Sequence, residues 1–411
     1  MKKHLVLMAL LVLSTFLGSA GLAEKAPVER VGNNPALFTQ SVQQFSDKLF
    51  FAQNYHGENA MLSPLSVYLA LGMTANGANG NTLSSMLDLL APERGSLESL
   101  NRGNAHYVQG LADLADIELS IANSIWLNQK IPFDQGFLKK DREYYKATAK
   151  NLDFGAKSSL STINGWVSDS TRGTIKSIID SIDPSALMYL INAVYFKGDW
   201  LNPFTKGSTY DQGFSVEDEQ VVVPFMHQSS SFPYAEALGG QVLLLPYSNE
   251  RFAFVAILPN EETTLDTWLA SQKQQGFTQR LFDAVDTLHY TRMDLSLPKF
   301  EASYSDSLVD ELELLGMTDP FDAGEADFSL MVESRTKDLV IGEILHKTFI
   351  RVDEKGSEAA AVTAIMMKAT SMAYREELLV LTFDRPFFYA IIDREAEISL
   401  FMGTMQNPEA K

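Results

Sequence analysis

The chain has 411 residues, of which 45% are hydrophobic and 21% charged, a globular composition that can bury a large core without covalent staples. Its formal charge of −19 argues against nucleic acid or an anionic membrane surface as a partner. It contains no cysteine, which excludes disulfides, thiol nucleophiles and thiolate metal sites.

The N-terminal segment has the pattern of a secretory signal. Lys2 and Lys3 precede an apolar run, Leu5–Leu17, which is too short for a comfortable membrane span and is followed by small residues. We therefore predict a signal peptide over residues 1–23 and a mature domain over residues 24–411. The protein is expected to be secreted or periplasmic, and a large exported protein without cysteine is typical of a bacterium.

The next predicted elements are mainly helices. Apolar residues recur at helical spacing from Phe38 to Phe50, and a buried helix begins at Ser63 and Pro64. A third helix is predicted over STINGWVSDSTRGTIKSII, residues 161–179.

Strands dominate the second half of the chain. Short apolar or alternating runs bounded by Pro, Gly or Asn include ALMYLINAVYFKGDW, QVLLLPYS, FAFVAILP and EISLFMGTMQNP. No internal repeat or linker divides the chain. Helices first and strands later predict a single domain of the α+β class.

Enzyme motifs are absent from the sequence. It contains no GxGxxG, P-loop, HExxH or GxSxG pattern. The histidines of the mature chain lie far apart without metal-ligand spacing: His56, His106, His227, His289 and His346. We predict no cofactor, no metal and no enzyme activity, and an unrecognised hydrolase remains the least favoured alternative.

Several motifs follow one another in a characteristic order. The most specific are NAVYFKG, which begins at Asn192, and DEKGSEAAA, which begins at Asp353. NAMLSPLSVYLALGMTANGANGNT precedes them, and FDRPFFYAIIDREAEISLFMG closes the chain. Across roughly residues 36–408 the sequence strongly resembles the serpin family.

The resemblance implies a fold and a function. The fold is a single domain with three β-sheets, eight to nine helices and an exposed reactive-centre loop, here at about residues 355–380. The implied function is inhibition of serine proteases by a monomer that acts as a suicide substrate: the protease forms a covalent acyl-enzyme, and the cleaved loop inserts into the central sheet. A non-inhibitory binding or storage protein of the same fold is the alternative.

The loop sequence EKGSEAAAVTAIMMKATSMAYREE, which begins at Glu354, alternates as an inserting strand must. With Ser357 inward, the inward set is uncharged: Ser357, Ala359, Ala361, Thr363, Ile365 and Met367. The outward set holds both charges, on Glu358 and Lys368. An Ala-rich exposed helix is the other interpretation. The hinge implied by the resemblance comprises Glu354, Gly356, Ser357, Glu358, Ala359, Ala360 and Ala361.

The resemblance also assigns the cut and its supporting residues. The scissile bond falls between Thr370 and Ser371, which favours elastase-like proteases. Neighbouring choices are Lys368, Met372, Tyr374 and Arg375, because this loop is longer than in many relatives. The polar cluster beneath the opening of the sheet, the shutter, corresponds to Ser63, Ser66, Asn192 and His346. The breach is the point where the loop first enters the central sheet. There the resemblance assigns Trp200 and also Lys299, which pairs with Glu354.

Overall fold

The computed structural model describes residues 35–53, 57–92, 95–111, 114, 116–217, 219–274, 276–357 and 378–410. These residues all belong to one compact unit. Nine α-helices lie within them: α1 Pro35–Ala52, α2 Pro64–Ala75, α3 Gly80–Leu90, α4 Leu97–Gly110, α5 Gln135–Lys140, α6 Lys157–Ser170, α7 Leu265–Gln272, α8 Phe277–Asp286 and α9 Val309–Leu314. This number agrees with the eight to nine predicted.

The described strands number fifteen. In chain order they are β1 Ala60–Leu62, β2 Ile117–Asn128, β3 Thr148–Leu152, β4 Met188–Asp199, β5 Thr209–Val216, β6 Glu219–Ala237, β7 Gly240–Pro246, β8 Phe252–Pro259, β9 His289–Pro298, β10 Phe300–Ser307, β11 Ile344–Val352, β12 Gly356–Ser357, β13 Leu379–Thr382, β14 Phe387–Asp393 and β15 Ile398–Met405.

The strands form two hydrogen-bonded networks. The six-stranded sheet has the order β10-β11-β12-β4-β2-β3. The nine-stranded network has two parts that share the long strand β6: β5, β9 and β13 on one side, and β7, β8, β14, β15 and β1 on the other. The predicted α+β fold with three sheets is therefore confirmed, with two of the sheets joined through β6.

The main core fills the space between the two networks. Helix α2 is buried along its whole length because its residues are apolar or small all round, so it can lie inside this core. Helix α6 covers the opposite face of the six-stranded sheet, where Ile163 and Val167 pack in a second cluster with Trp126 and Tyr189. The inner face of the six-stranded sheet thus meets the main core, and its outer face meets α6.

Helix α6 ends earlier than predicted. It stops at Ser170, because Arg172 and Gly173 adopt left-handed backbone angles that terminate a helix. The following segment folds back along α6, and the Asn164 side chain accepts from the backbone nitrogens of Ile178 and Ile179. The prediction of one helix over residues 161–179 was therefore wrong in its second half.

Candidate functional site at the upper end of the six-stranded sheet

Gly356 and Ser357 form a short strand between β4 and β11. Ser357 pairs antiparallel with Gly198 on one side and with Val352 on the other. Lower in the sheet β4 and β11 pair directly and in parallel, from Ile344 opposite Leu190 onward. The sheet is therefore closed along most of its length and open only at this end, which we call the upper end.

The two residues of β12 fit their position closely. A Cβ atom on Gly356 would lie 2.0 Å from the backbone oxygen of Gly198, so only glycine fits there. The Ser357 side chain is fully buried, and its hydroxyl lies 2.7 Å from the Tyr247 hydroxyl. Burial raises the pKa of Tyr247, so this phenol stays neutral and takes part in the hydrogen bond as a hydroxyl.

Trp200 holds the chain that leads into β12. Its indole nitrogen donates to the backbone oxygen of Asp353 at 2.9 Å, and its backbone nitrogen donates to that of Lys355 at 2.6 Å. Its ring stacks on Tyr247, with centroids 4.8 Å apart. The structure therefore places Trp200 directly against the start of the loop.

Glu354 is anchored by three residues. Its carboxylate accepts from Lys299 Nζ at 2.9 and 3.1 Å and from the Thr209 hydroxyl at 2.8 Å, while its backbone oxygen accepts from the Phe204 nitrogen at 2.7 Å. Burial by itself would raise the pKa of Glu354, but the hydrogen bonds from Lys299 and Thr209 outweigh it and lower the pKa. Because Glu354 is only 5% exposed, this ion pair is partly shielded from water and is not a surface pair.

The predicted polar cluster lies where the start of α2 meets the inner face of the sheet. Asn192 Oδ1 accepts from the Ser66 hydroxyl at 2.8 Å and lies 2.5 Å from His346 Nδ1. The backbone nitrogen of Ser63 lies 3.1 Å from His346 Nε2. The Asn192 amide nitrogen donates to Asn123 at 2.6 Å. The four predicted residues are thus one connected, buried network that spans β4, β11 and α2.

The hydrogen bonds fix the state of His346. A backbone N–H can only donate, so Nε2 must accept from Ser63, and the ring proton therefore sits on Nδ1 and is donated to Asn192. Burial lowers the pKa of His346 to about 3, so the imidazole is neutral at physiological pH.

The remaining predicted positions lie outside the described residues. They are Glu358, Ala359, Ala360 and Ala361 of the hinge, and Lys368, Thr370, Ser371, Met372, Tyr374 and Arg375 around the cut. The assignments to these positions stay predictions.

Three residues of the site were missed at the level of sequence. Tyr247 and Thr209 contact the hinge, and Asn123 extends the polar cluster. Asn123 leaves a signal, because a polar residue stands there in the inward register of the apolar run IANSIWL. Tyr247 and Thr209 lie more than a hundred residues from their partners, and nothing local marks them.

No group of three or more His, Asp or Glu side chains in the described part of the chain could hold a metal ion. Nor is any helix found there that is long and apolar enough to cross a membrane.

Comparisons with known proteins agree with this architecture. A family model described as Serpin (serine protease inhibitor) matches residues 40–408. Neuroserpin of Gallus gallus is 32% identical over 371 residues, which cover 86% of this chain and 87% of that protein. An uncharacterized serpin-like protein of Thermococcus kodakarensis is 31% identical over a region that covers 90% of this chain and 85% of that protein. These relatives come from a bird and an archaeon and give no support to a bacterial origin.

Solved structures match over nearly the whole chain. The thermophilic serpin tengpin in its native state superposes with a TM-score of 0.82 at 36% identity, covering 90% of this chain and 94% of tengpin. The latent state of tengpin superposes less well, with a TM-score of 0.77 at 35% identity, covering 90% and 97%. Human thyroxine-binding globulin, solved in complex with thyroxine, gives a TM-score of 0.82 at 26% identity, covering 91% of this chain and 100% of that one.

Proposed function

The chain belongs to the serpin family, and from this premise we propose that it inhibits serine endopeptidases as a suicide substrate, by inserting its cleaved loop between β4 and β11. Serpins are generally protease inhibitors and are not themselves enzymes. The insertion step, the cut after Thr370 and elastase-like targets are the specific parts of the proposal.

The register of the six-stranded sheet carries the proposal. Ser357 pairs with Gly198 of β4 and Val352 of β11, and these two residue numbers differ by 154. Lower in the sheet, Leu190 of β4 pairs directly with Ile344 of β11, and their numbers also differ by 154. A strand that continues from Ser357 therefore meets both neighbours in the register that they already have. Insertion requires β4 and β11 to separate sideways by one strand, about 4.8 Å, without sliding along each other.

The same register assigns a partner to every inserted residue. On the inward face Ala359, Ala361 and Ile365 would lie opposite core residues of β4 such as Phe196 and Val194. The inserted side chains are therefore small or apolar where the sheet faces the main core. A shift of one residue would turn Glu358 toward that core.

Two polar loop residues would meet polar partners. Thr363 would enter opposite both Asn192 and His346, which now hydrogen-bond directly, so its hydroxyl could replace the bond broken when the strands separate. Continued by one residue from Ser357, the register would put Glu358 on the outer face between Lys197 and Arg351. Together with the three apolar matches on the inward face, these two polar matches support insertion over an exposed helix.

The chemistry of the trap is a normal first step of proteolysis. The protease serine adds to the carbonyl carbon of Thr370, the bond to Ser371 breaks, and the new amino end leaves with a proton. Strand β4 offers partners as far as Met188, opposite Met367, so a cut after Thr370 leaves three residues between sheet and protease. A cut after Arg375 would add about 16 Å of slack and hold the protease less tightly.

A non-inhibitory binding role is the second candidate. Thyroxine-binding globulin shows that a serpin fold can bind a small molecule. A cleft of about 820 Å³ between α1, the start of α8 and the β14–β15 turn has the size of a ligand site. It contains Asp47, whose Oδ2 is buried without a hydrogen-bond partner among the described residues.

Export and oligomeric state are further parts of the proposal. The charge and hydropathy of residues 1–23 support a cleaved signal peptide and a secreted or periplasmic protein. The proposed mature protein is a monomer. A bacterial source rests only on that signal and on the absence of cysteine.

The test is incubation of the mature protein with an elastase, a trypsin and a chymotrypsin, followed by denaturing electrophoresis and mass measurement of the released peptide. We expect an adduct with elastase that survives boiling in detergent, together with a 41-residue peptide from Ser371 to Lys411 (411 minus 370). Complete cleavage by all three proteases without an adduct would favour the binding role. An adduct with a different peptide would retain inhibition but move the cut.

A further inference from the structure

Asparagine is followed directly by glycine at three places in the chain: Asn76 before Gly77, Asn79 before Gly80 and Asn164 before Gly165. Asparagine is a thermolabile residue, and a following glycine has no side chain to hinder the approach of its own backbone nitrogen. That nitrogen can attack the asparagine side-chain amide and release ammonia, a reaction that needs no enzyme. The same dipeptide lies in three different surroundings, so the fold decides which of them reacts.

The pair at Asn76 is closed to this reaction. Asn76 is 1% exposed, and its side-chain nitrogen donates to Asn101 Oδ1 at 2.9 Å. The Gly77 nitrogen is already engaged, because it donates to the backbone oxygen of Thr74 at 2.9 Å. A Cβ atom on Gly77 would lie 2.7 Å from Met331, so the surroundings are crowded as well. Neither the attacking nitrogen nor the amide is therefore free to move.

The pair at Asn164 is held in place by hydrogen bonds. Asn164 Oδ1 accepts from the backbone nitrogens of Ile178 and Ile179 at 2.9 and 3.2 Å, and its Nδ2 donates to the Ile179 backbone oxygen at 2.9 Å. Gly165 lies inside α6, where each backbone nitrogen donates to the carbonyl four residues earlier. Attack at Asn164 therefore requires a turn of the helix and these three bonds to open first.

The pair at Asn79 is accessible. Asn79 and Gly80 are both exposed, and a Cβ atom placed on Gly80 would lie in open space among the described residues. Asn79 has extended backbone angles, and Gly80 is the first residue of α3. The first backbone nitrogens of a helix have no partner within it, so the Gly80 nitrogen is available as a nucleophile. The Asn79 side chain is held by a long hydrogen bond, 3.4 Å from its nitrogen to Asp327 Oδ2.

We propose that Asn79 is a site of spontaneous deamidation, a covalent modification whose co-reactant is water. The Gly80 nitrogen forms a bond to Asn79 Cγ, the bond from Cγ to Nδ2 breaks, and Nδ2 leaves as ammonia with the proton of the Gly80 nitrogen. Water then adds to either carbonyl of the cyclic imide. Opening at Cγ gives aspartate, and opening at the backbone carbonyl gives isoaspartate, in which the main chain runs through Cγ.

The product loosens the junction between the start of α3 and Asp327. The Asn79 backbone nitrogen donates to the Asp327 backbone oxygen at 2.8 Å, and the Asp327 nitrogen donates to the Thr82 hydroxyl at 2.8 Å. Deamidation replaces the Asn79 side-chain donor with a carboxylate that faces the buried Asp327 carboxylate, and two like charges so close repel. Lys337, which pairs with Asp327 at 2.9 Å, offsets only one of them. Isoaspartate also lengthens the backbone where α3 begins.

The test incubates the mature protein at physiological temperature in mildly alkaline buffer, digests samples over time and follows the peptides by mass spectrometry. Deamidation replaces an NH2 group by OH, and fragmentation of the peptides assigns this change of mass to each asparagine. Asn76 and Asn164 are internal controls in the same sample. The matched variant is Asn79→Gln, which keeps the amide but moves it one carbon further from the backbone.

We expect Asn79 to deamidate at least about tenfold faster than Asn76 or Asn164, because those two react only after local opening. An equal or faster rate at either control would overturn the proposal, and so would an unmodified Asn79 in the folded protein when a denatured sample reacts at all three sites. We also expect the aged parent to unfold at a lower temperature than fresh protein, and aged Asn79→Gln to keep its fresh value. An unchanged unfolding temperature after full conversion of Asn79 would overturn the loosening of the junction.

Discussion

Ser357 offers the sharpest test of loop insertion. The substitution Ser357→Arg removes a hydroxyl that lies 2.7 Å from Tyr247 and places a long cation at a position with no exposed surface. The unpartnered Tyr247 hydroxyl costs about 1–3 kcal/mol, and burial of an unpaired guanidinium costs several more. If about 3 kcal/mol of this cost is added to the activation free energy of insertion, insertion slows more than a hundredfold.

The native fold should tolerate the same change. Among the described residues, Gly356 and Ser357 alone lie between β4 and β11 at the upper end of the sheet, so the hinge can withdraw and leave the direct β4–β11 pairing intact. We therefore expect a small shift in the unfolding temperature but a large loss of trapping, because the acyl-enzyme hydrolyses before the loop inserts.

The assay is the number of inhibitor molecules consumed per elastase trapped, read from the ratio of cleaved protein to adduct on denaturing gels. Ser357→Thr keeps the hydroxyl and should trap. Ala373→Arg adds the same cation beyond the proposed cut and should trap as the parent does. If Ser357→Arg traps as efficiently as the parent, the inward register of the loop is wrong. If Ala373→Arg also fails, the effect of the cation does not depend on insertion.

Three further predictions concern stability. Cleavage in the loop should raise the unfolding temperature markedly, since the native sheet can accept one more strand and persists kinetically; an unchanged melting curve would contradict insertion. Because the pKa of His346 falls to about 3 on folding, the unfolded chain takes up a proton at a higher pH than the folded protein does, and stability should drop by about 1.4 kcal/mol for each unit that the pH falls below 6.5. His346→Gln should lack this part of the pH dependence. Burial raises the pKa of Asp141, so the stability of the fold should fall as pH rises above the carboxyl's ordinary pKa of 3.8. Asp141→Asn should therefore unfold at a higher temperature than the parent at pH 8, and the difference in unfolding temperature should be smaller at pH 5. An equal difference at both pH values would refute this prediction.

Local patterns in the sequence were sufficient for much of the fold. The helical spacing from Phe38 to Phe50 and the Ser63–Pro64 start predicted α1 and α2, and both elements are present. Strand β11 was not predicted, although its burial alternates regularly, because Lys347 and Arg351 interrupt the apolar pattern on its outer face. Helix α6 was predicted too long because the left-handed backbone at Arg172 cannot be read from residue type.

The predicted polar cluster shows where sequence and structure divide. Ser63, Ser66, Asn192 and His346 were named from motifs, which fix residue types at given positions along the chain. The direction of each hydrogen bond, the neutral tautomer of His346 and the participation of Asn123 depend on how β2, β4 and α2 meet in space.

The sequence by itself determined the family, the order of the elements and the period-two alternation of the loop, because these follow from residue type and spacing along one chain. Only the tertiary structure decided the constant offset between β4 and β11, and with it the partners that Thr363 and Glu358 would meet. The physical reason is that strand register is set by contacts between residues some 150 positions apart. No local pattern records which of them lie opposite each other.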